Sequence, residues 1–290
     1  MTSPRANANS TSHVPHLPHT DPDHTRFAGL HFGFRHNDFR EQRAGQHADT
    51  AKLQVTRHLD SGPDPELIAV DHKGQRMYIA NEDDSQVTIM DVASGRVLGV
   101  VAVGVEPEGM AVSPDDKYTV ATSESTSMAH VIDNASMKLI ANVLVDTRPR
   151  EAKFTADGSQ VWVSSEVGGT IAVIDTKTWK VIKKIGFAVP GVRPELLQPV
   201  GMEFSKDGSL LFAALGPANR VAVIDTKTYA VKQYILVGQR PWHMALDPGG
   251  KTLYVANGLT NDLTIIDVGT LEAVKSVPVG RLPWGVAVMP

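Results

Sequence analysis

Short apolar runs of five or six residues, broken by polar turn clusters, recur from residue 65 to residue 290. The clearest copy reads Pro241-Trp-His-Met-Ala-Leu246, a turn at Asp247-Pro-Gly-Gly250, then Leu253-Tyr-Val-Ala-Asn257, Leu263-Thr-Ile-Ile-Asp267 and a last apolar stretch to Val279. β-Branched residues dominate the runs, as in Ile171-Ala-Val-Ile-Asp175 and Val221-Ala-Val-Ile-Asp225. That length and composition predicts strands; the 3.6-residue spacing of an amphipathic helix is absent. The opening proline returns at Pro65, Pro107, Pro149, Pro199, Pro241 and Pro283, in steps of 42, 42, 50, 42 and 42 residues. Four strands of about 5–6 residues with tight turns fill about 42 residues, the size of one β-propeller blade. The runs lack clean in/out alternation, so both faces of each sheet are buried, as in blades stacked around an axis. The expected fold is an all-β propeller over residues 53–290, with five complete four-stranded antiparallel blades and a split closing blade. The last copy stops after one strand (residues 283–288), which predicts closure of the ring with strands from the N-terminal side.

The turns repeat as well. Asp91, Asp133, Asp175, Asp225 and Asp267 share one position, each followed three residues later by Ser or Thr. A side-chain carboxylate there accepts backbone N–H groups and closes an Asx-type turn. Gly74, Gly158, Gly208 and Gly250, with Asp116 in the second copy, occupy a position where positive φ is expected. Tyr78, Val120, Trp162, Phe212 and Tyr254 share one strand position and are expected to fill the core. His130, inside the run Ala129-His-Val-Ile-Asp133, is expected to be buried and hydrogen-bonded. The extra residues of the long repeat lie in a Pro/Gly loop at 186–198.

Residues 1–50 have a different composition, with seven of the 11 histidines, one valine and no isoleucine. A strand pair is not expected there. The segment is expected to be a non-repeat region, either disordered or displaced by a misplaced start, with no signal-peptide core. Stepping back by 42 residues, however, aligns Leu53–Gly62 with the fourth strand of a blade. The chain has no cysteine, which excludes disulfides and thiol catalysis. A net charge of −4 without a basic stripe disfavours nucleic acid, and no apolar stretch is long enough to span a membrane.

Candidate chemistry lies where the repeats differ. Beside the six prolines stand Asp64 and Glu66, Glu106 and Glu108, Arg148 and Arg150, Gln198 and Val200, Arg240 with Trp242 and His243, and Arg281 with Trp284. A propeller would gather these corners around one mouth, acidic on one side and basic with two tryptophans on the other. Glu66, Glu108, Arg148, Arg150, Arg240, Trp242, His243, Arg281 and Trp284 form the expected ligand or partner face, since Arg and Trp are frequent interface anchors. A solvated rim of mutually neutralising charges is the plainer reading. Further along the inner strands, Glu151, Lys153 and Glu203 are expected in the axial channel, either as a salt-bridged plug or as a polar site. No Ser/His/Asp spacing or phosphate-binding Gly loop marks a catalytic residue or a dedicated metal site.

Tyr254-Val-Ala-Asn257, the recurrent Val-Ile-Asp and the Pro-Asp-Gly-like turns resemble the YVTN family of β-propeller repeats. Segments that mark individual blades are similar to a narrower family, the β-propellers associated with catabolism dependent on pyrroloquinoline quinone (PQQ). These are Pro63-Asp-Pro-Glu66, Gly104-Val-Glu-Pro-Glu-Gly-Met-Ala-Val-Ser-Pro-Asp115, Asn142-Val-Leu-Val-Asp-Thr-Arg-Pro-Arg150 and Gly280-Arg-Leu-Pro-Trp-Gly-Val-Ala-Val288. The resemblance covers about residues 53–290. It implies seven blades, a periplasmic location and a monomeric, non-catalytic binding or scaffold role beside quinoprotein alcohol oxidation. It implies a quinoprotein dehydrogenase, cytochrome or other periplasmic protein as partner, and no cofactor of its own, with PQQ reached only through that partner. Two alternatives stand beside it. One is a propeller lactonase with an axial divalent metal, for which Glu66, Glu108 and Glu203 could supply oxygen ligands. The other is a cell-surface adhesion propeller.

Overall fold

The computed structural model describes residues 44–49, by their backbone, and residues 54–288. Five four-stranded antiparallel sheets follow one another along the chain. Blade 1 holds β3 (Pro65–Val70), β4 (Arg76–Asn81), β5 (Gln86–Asp91) and β6 (Val97–Ala102). Blade 2 holds β7 (Pro107–Val112), β8 (Tyr118–Ser123), β9 (Met128–Asp133) and β10 (Lys138–Leu144). Blade 3 holds β11 (Pro149–Phe154), β12 (Gln160–Ser165), β13 (Thr170–Asp175) and β14 (Lys180–Gly186). Blade 4 holds β15 (Pro199–Phe204), β16 (Leu210–Leu215), β17 (Arg220–Asp225) and β18 (Val231–Leu236). Blade 5 holds β19 (Pro241–Leu246), β20 (Thr252–Asn257), β21 (Asp262–Asp267) and β22 (Glu272–Pro278). Each sheet pairs its strands in sequence order, the meander that the four-run repeat predicts.

The core lies between blades. Tyr78, Val87 and Ile89 of blade 1 pack on Met110, Ala121 and Ile132 of blade 2. Val120, Ala129 and Val131 of blade 2 meet Val161, Val163 and Ile174 of blade 3. Trp162 and Val173 of blade 3 meet Met202, Leu211 and Ala213 of blade 4. Phe212 and Val223 of blade 4 meet Met244, Leu253 and Val255 of blade 5. Both faces of each inner sheet are therefore covered, which is why the strands read as unbroken apolar runs. The shared aromatic position is fully enclosed at Trp162 and Phe212, where the indole meets Phe204 edge-on at 5.7 Å.

The turn chemistry follows the sequence reading. The Asp91, Asp133, Asp175, Asp225 and Asp267 carboxylates each accept the backbone N–H three residues on, at 2.7–2.8 Å. Gly74, Gly158, Gly208 and Gly250 have φ of 66–71°, and Asp116 adopts the same left-handed conformation at 59°. The 186–198 loop carries one short 3-10 turn (Pro194–Leu196). His130 is buried; its Nε2 accepts the Gly104 N–H at 2.9 Å, which leaves Nδ1–H to donate to Asn142 Oδ1 at 2.6 Å.

Two expectations about the ends are corrected. β1 (Ala44–Asp49) lies inside the segment where strands were not expected, and it pairs antiparallel with β2 (Gln54–Asp60). These strands sit one 42-residue step before β5 and β6, so they match the third and fourth strands of a blade. Hairpin pairing to a well-formed fourth strand outweighs the poor β-propensity of the segment. β2 anchors on blade 1, where Leu59 packs against Met77, Ile79 and Met90, and Arg57 donates to the Val92 and Ala93 carbonyls. The rest of residues 1–43 lies outside the described residues. Residues 283–288 run beside β19, held by the His243 N–H donating to the Trp284 carbonyl at 3.1 Å. Among the described residues this stretch forms no strand and does not pair with β1 or β2, so the predicted joined sheet is not made.

Candidate functional site

The inner strands β3, β7, β11, β15 and β19 begin at the repeating prolines and line the axis. The residue before the proline is left-handed at Asp64, Glu106, Arg148, Arg240 and Leu282, with φ of 46–58°. Such backbone is uncommon for residues with a Cβ and is held by the surrounding ladder. It is stabilised from the neighbouring turn: the N–H of Glu82, Glu124, Glu166 and Gly258 donates back to the carbonyl of Asp64, Glu106, Arg148 and Arg240. The proline corner and the residue after the second strand thus bring a blade's first and second strands to the same mouth.

That second position was overlooked in the sequence. Glu82, Glu124 and Glu166 follow β4, β8 and β12 at steps of 42 residues, and the equivalent residues of blades 4 and 5 are Gly216 and Gly258. The signal for it in the sequence is a glutamate returning every 42 residues, apart from the proline corners. The two glycines have a steric reason. A Cβ on Gly216 would strike the Arg240 guanidinium, and one on Gly258 would strike the Trp242 indole nitrogen. Blades 4 and 5 therefore give up the acid and admit a cation and an indole.

The result is a buried charge network. Arg150 donates to Glu124, lies 3.4 Å from Glu108 Oε2, and places Nε 3.5 Å from Glu166 Oε2. Arg148 Nε donates to Glu124 at 2.7 Å, and Arg240 Nη2 donates to Glu166 at 2.7 Å. The Arg240 guanidinium stacks 4.2 Å from the Trp242 ring centre, with Arg150 at 5.6 Å. Glu108, Glu124, Glu166 and Arg150 are all buried. On the other side of the mouth the acids Asp64, Glu66 and Glu82 form no ion pair among the described residues. Asp64, Glu66 and Glu82 bring carboxylate oxygens within 4.8 Å of one another. Burial, then the Glu108, Glu82 and Asp64 charges, push the Glu66 carboxyl up to about 9, so it holds a proton at neutral pH. Burial, then Asp64, also raises Glu82, and burial, then Asp83, raises Asp64. Burial raises Glu108 as well, against the opposing pull of Arg150.

Deeper along the axis, Glu151 accepts the Met202 N–H and lies 3.9 Å from His243 Nδ1. Burial lifts Glu151 to about 7, while burial and the Arg150 and Lys153 charges drop His243 to about 3. The imidazole is therefore neutral at physiological pH, and the close approach is not an ion pair. His243 also packs against Trp284, with ring centres 4.2 Å apart and planes tilted by 52°. Lys153 donates to Glu203; burial opposes its charge, but the Glu203 and Glu151 carboxylates outweigh that and hold its pKa above the usual lysine value. Lys153 and Glu203 line an open cavity of about 830 Å³ with Phe154 and Phe204.

The structure thus brings Glu66, Glu108, Arg148, Arg150, Arg240 and Trp242 to one mouth, with His243 and Trp284 packed against each other nearby. Arg281 is exposed at the sixth corner and joins none of these ion pairs. The trio Glu66, Glu108 and Glu203 does not assemble as one oxygen-ligand set. Glu203 is committed to Lys153 in the channel and Glu108 faces Arg150, so Glu66 groups with Asp64 and Glu82 instead.

Comparison with known proteins places this geometry in context. A family model described as a lactonase, 7-bladed β-propeller, matches residues 141–281. No curated protein matches the chain. Among solved structures, Kuenenia stuttgartiensis hydrazine synthase aligns with a TM-score of 0.74 at 20% identity, covering 84% of this chain and 82% of that one. At that identity the likeness is one of fold. With 1674 solved chains matching, the fold by itself selects no function. The lactonase match overturns the expectation of a non-catalytic binding protein accessory to PQQ-dependent alcohol catabolism. That expectation rested on a resemblance carried by segments that mark individual blades, such as residues 142–150 and 280–288.

Proposed function

We propose that this protein is a hydrolase of lactones, with its reaction centre at the axial mouth. The observation that carries the reading is the lactonase match over blades 3 to 5 and the strands leading into them, residues 141–281. The acidic trio of blade 1 supports it. Asp64, Glu66 and Glu82 supply hard oxygen donors at the spacing a divalent cation accepts, and the proton that Glu66 holds marks the positive charge that would be welcome there. These three residues would hold such a cation. Its chemistry when bound would be polarisation of the lactone carbonyl. The chain's own groups do the rest. Arg150 and Arg148 keep the neighbouring glutamates in place, and Arg240 lies over the Trp242 ring at the same mouth.

The test is hydrolysis of glucono-δ-lactone, followed by proton release above the spontaneous rate, with calcium, magnesium or manganese and after chelation. Turnover that falls at least tenfold in Glu82→Gln, with bound metal lost in parallel, supports the reading. No turnover with any of the three metals overturns it.

A further inference from the structure

The inner strands open on a second space, at the end of the axis away from the proline corners. β3, β7, β11, β15 and β19 finish at Val70, Val112, Phe154, Phe204 and Leu246, and these five residues line the cavity of about 830 Å³. That volume lies in the range of small-molecule sites, which combine apolar walls with a few placed polar groups. The next-to-last residue of the inner strand is alanine in blades 1, 2 and 5, but Lys153 in blade 3 and Glu203 in blade 4. Two adjacent blades thus give up a small residue to set an ion pair in the cavity wall. The pair is not sealed in, since Lys153 and Glu203 keep 28% and 23% of their side-chain surface exposed. Lys153 donates to Glu203 Oε2. Among the described residues, neither its remaining N–H groups nor Glu203 Oε1 has a protein partner. A donor and an acceptor therefore face the cavity side by side.

The surrounding charge is close to balanced. Lys153 offsets Glu203, burial lifts the Glu151 carboxyl beside them to about 7, and the rim adds Lys206 and Asp247, one of each sign. A carboxylate entering here would meet Lys153 but also Glu203, and an ammonium would meet Glu203 but also Lys153. Each charged head gains one partner and suffers one like charge, whereas a neutral head with an acceptor and a donor satisfies both. We propose that this cavity binds an uncharged molecule with an apolar body and a carboxamide-type head, whose carbonyl accepts from Lys153 and whose N–H donates to Glu203. The site is separate from the axial mouth and does not depend on the hydrolase reading.

Benzamide, benzoate and benzylammonium share one ring and differ in the charge of the head. Each is titrated into the full chain carrying 13C-methyl methionine, and the Met110 signal, assigned with Met110→Leu, reports on the cavity that this residue lines. Benzamide is expected to shift Met110 and to bind at least fivefold more tightly than either ion. The double variant Lys153→Met/Glu203→Leu removes both partners together, so neither charge is left buried alone. Its affinity for benzamide should fall at least fivefold. Equal or tighter binding of either ion overturns the proposal, as does benzamide that leaves Met110 unmoved at millimolar concentration. So does a folded double variant that binds benzamide as well as the parent. The ranking of the three probes is read on the unaltered protein, so it decides the matter even if the double variant fails to fold.

Discussion

Arg150 is a buried guanidinium surrounded by Glu108, Glu124 and Glu166. Removing it leaves Glu108 enclosed without a counter-charge, while Glu124 keeps Arg148 and Glu166 keeps Arg240; breaking a buried pair costs about 3–5 kcal/mol. Arg150→Leu is expected to lose stability of that size in urea denaturation at pH 7. Glu66 carries the opposite signature. Its folded pKa, about 9, lies above that of an unfolded glutamate, about 4.3. Its stabilising protonated form is intact below pH 4.3 and is lost as pH rises towards 9, so the native state weakens across that window. Glu66→Gln keeps the side-chain hydrogen bond between position 66 and Glu82 without the titration. It should be more stable than the parent at pH 7 by ~1 kcal/mol or more, with a difference that grows up to about pH 9 and shrinks when calcium is added. An unchanged difference between pH 5 and pH 9 would show that the trio is not coupled.

Among the elements, inner strands pack so closely that their glycines matter individually. A Cβ on Gly109 of β7 would overlap the Arg150 carbonyl of β11, backbone against backbone. Overpacking of that kind costs about 1–3 kcal/mol. Gly109→Ala is expected to fall in that range by thermal unfolding, whereas Gly186→Ala, whose Cβ meets nothing within 4 Å, should change stability by less than ~0.5 kcal/mol. The outer hairpins carry a second regularity. Asp175 accepts the Thr178 N–H and its hydroxyl, both at 2.8 Å. Asp175→Ala should lower the unfolding midpoint slightly in a thermal melt, and its equivalents to a similar extent, because each turn stands alone at the surface. These turns were legible in the sequence because each is closed by contacts within four residues. The left-handed corners were not, since they depend on a carbonyl held by a turn from the neighbouring strand pair.

At the scale of the whole molecule, the blades stack in order and each interface is mostly apolar, so Trp162 between blades 3 and 4 is a keystone contact. Trp162→Ala should cost about 3–5 kcal/mol, enough to test whether blades 3 and 4 unfold together with the rest in one denaturant transition. The stretch after β22 seals the flank of blade 5 through Trp284 on His243. Ending the chain at residue 281 should lower the melting temperature by several degrees and speed proteolysis near Pro241. The two ends also show the limit of repeat counting. The 42-residue step located the strand at 54–60, yet composition alone hid its partner at 44–49, whose strand character comes from pairing.

The sequence by itself determined the number of complete blades, their strand order, the aspartate turns and the enclosed aromatic ring, because periodic apolar runs and short-range hydrogen bonds are local properties. Which corners meet was decided only by the tertiary structure. Glutamates 42 residues apart became one network because the blades rotate them about a common axis, and Glu203 left the metal set because the same packing set it beside Lys153. Side-chain distance across an axis has no counterpart in the order of residues along a chain.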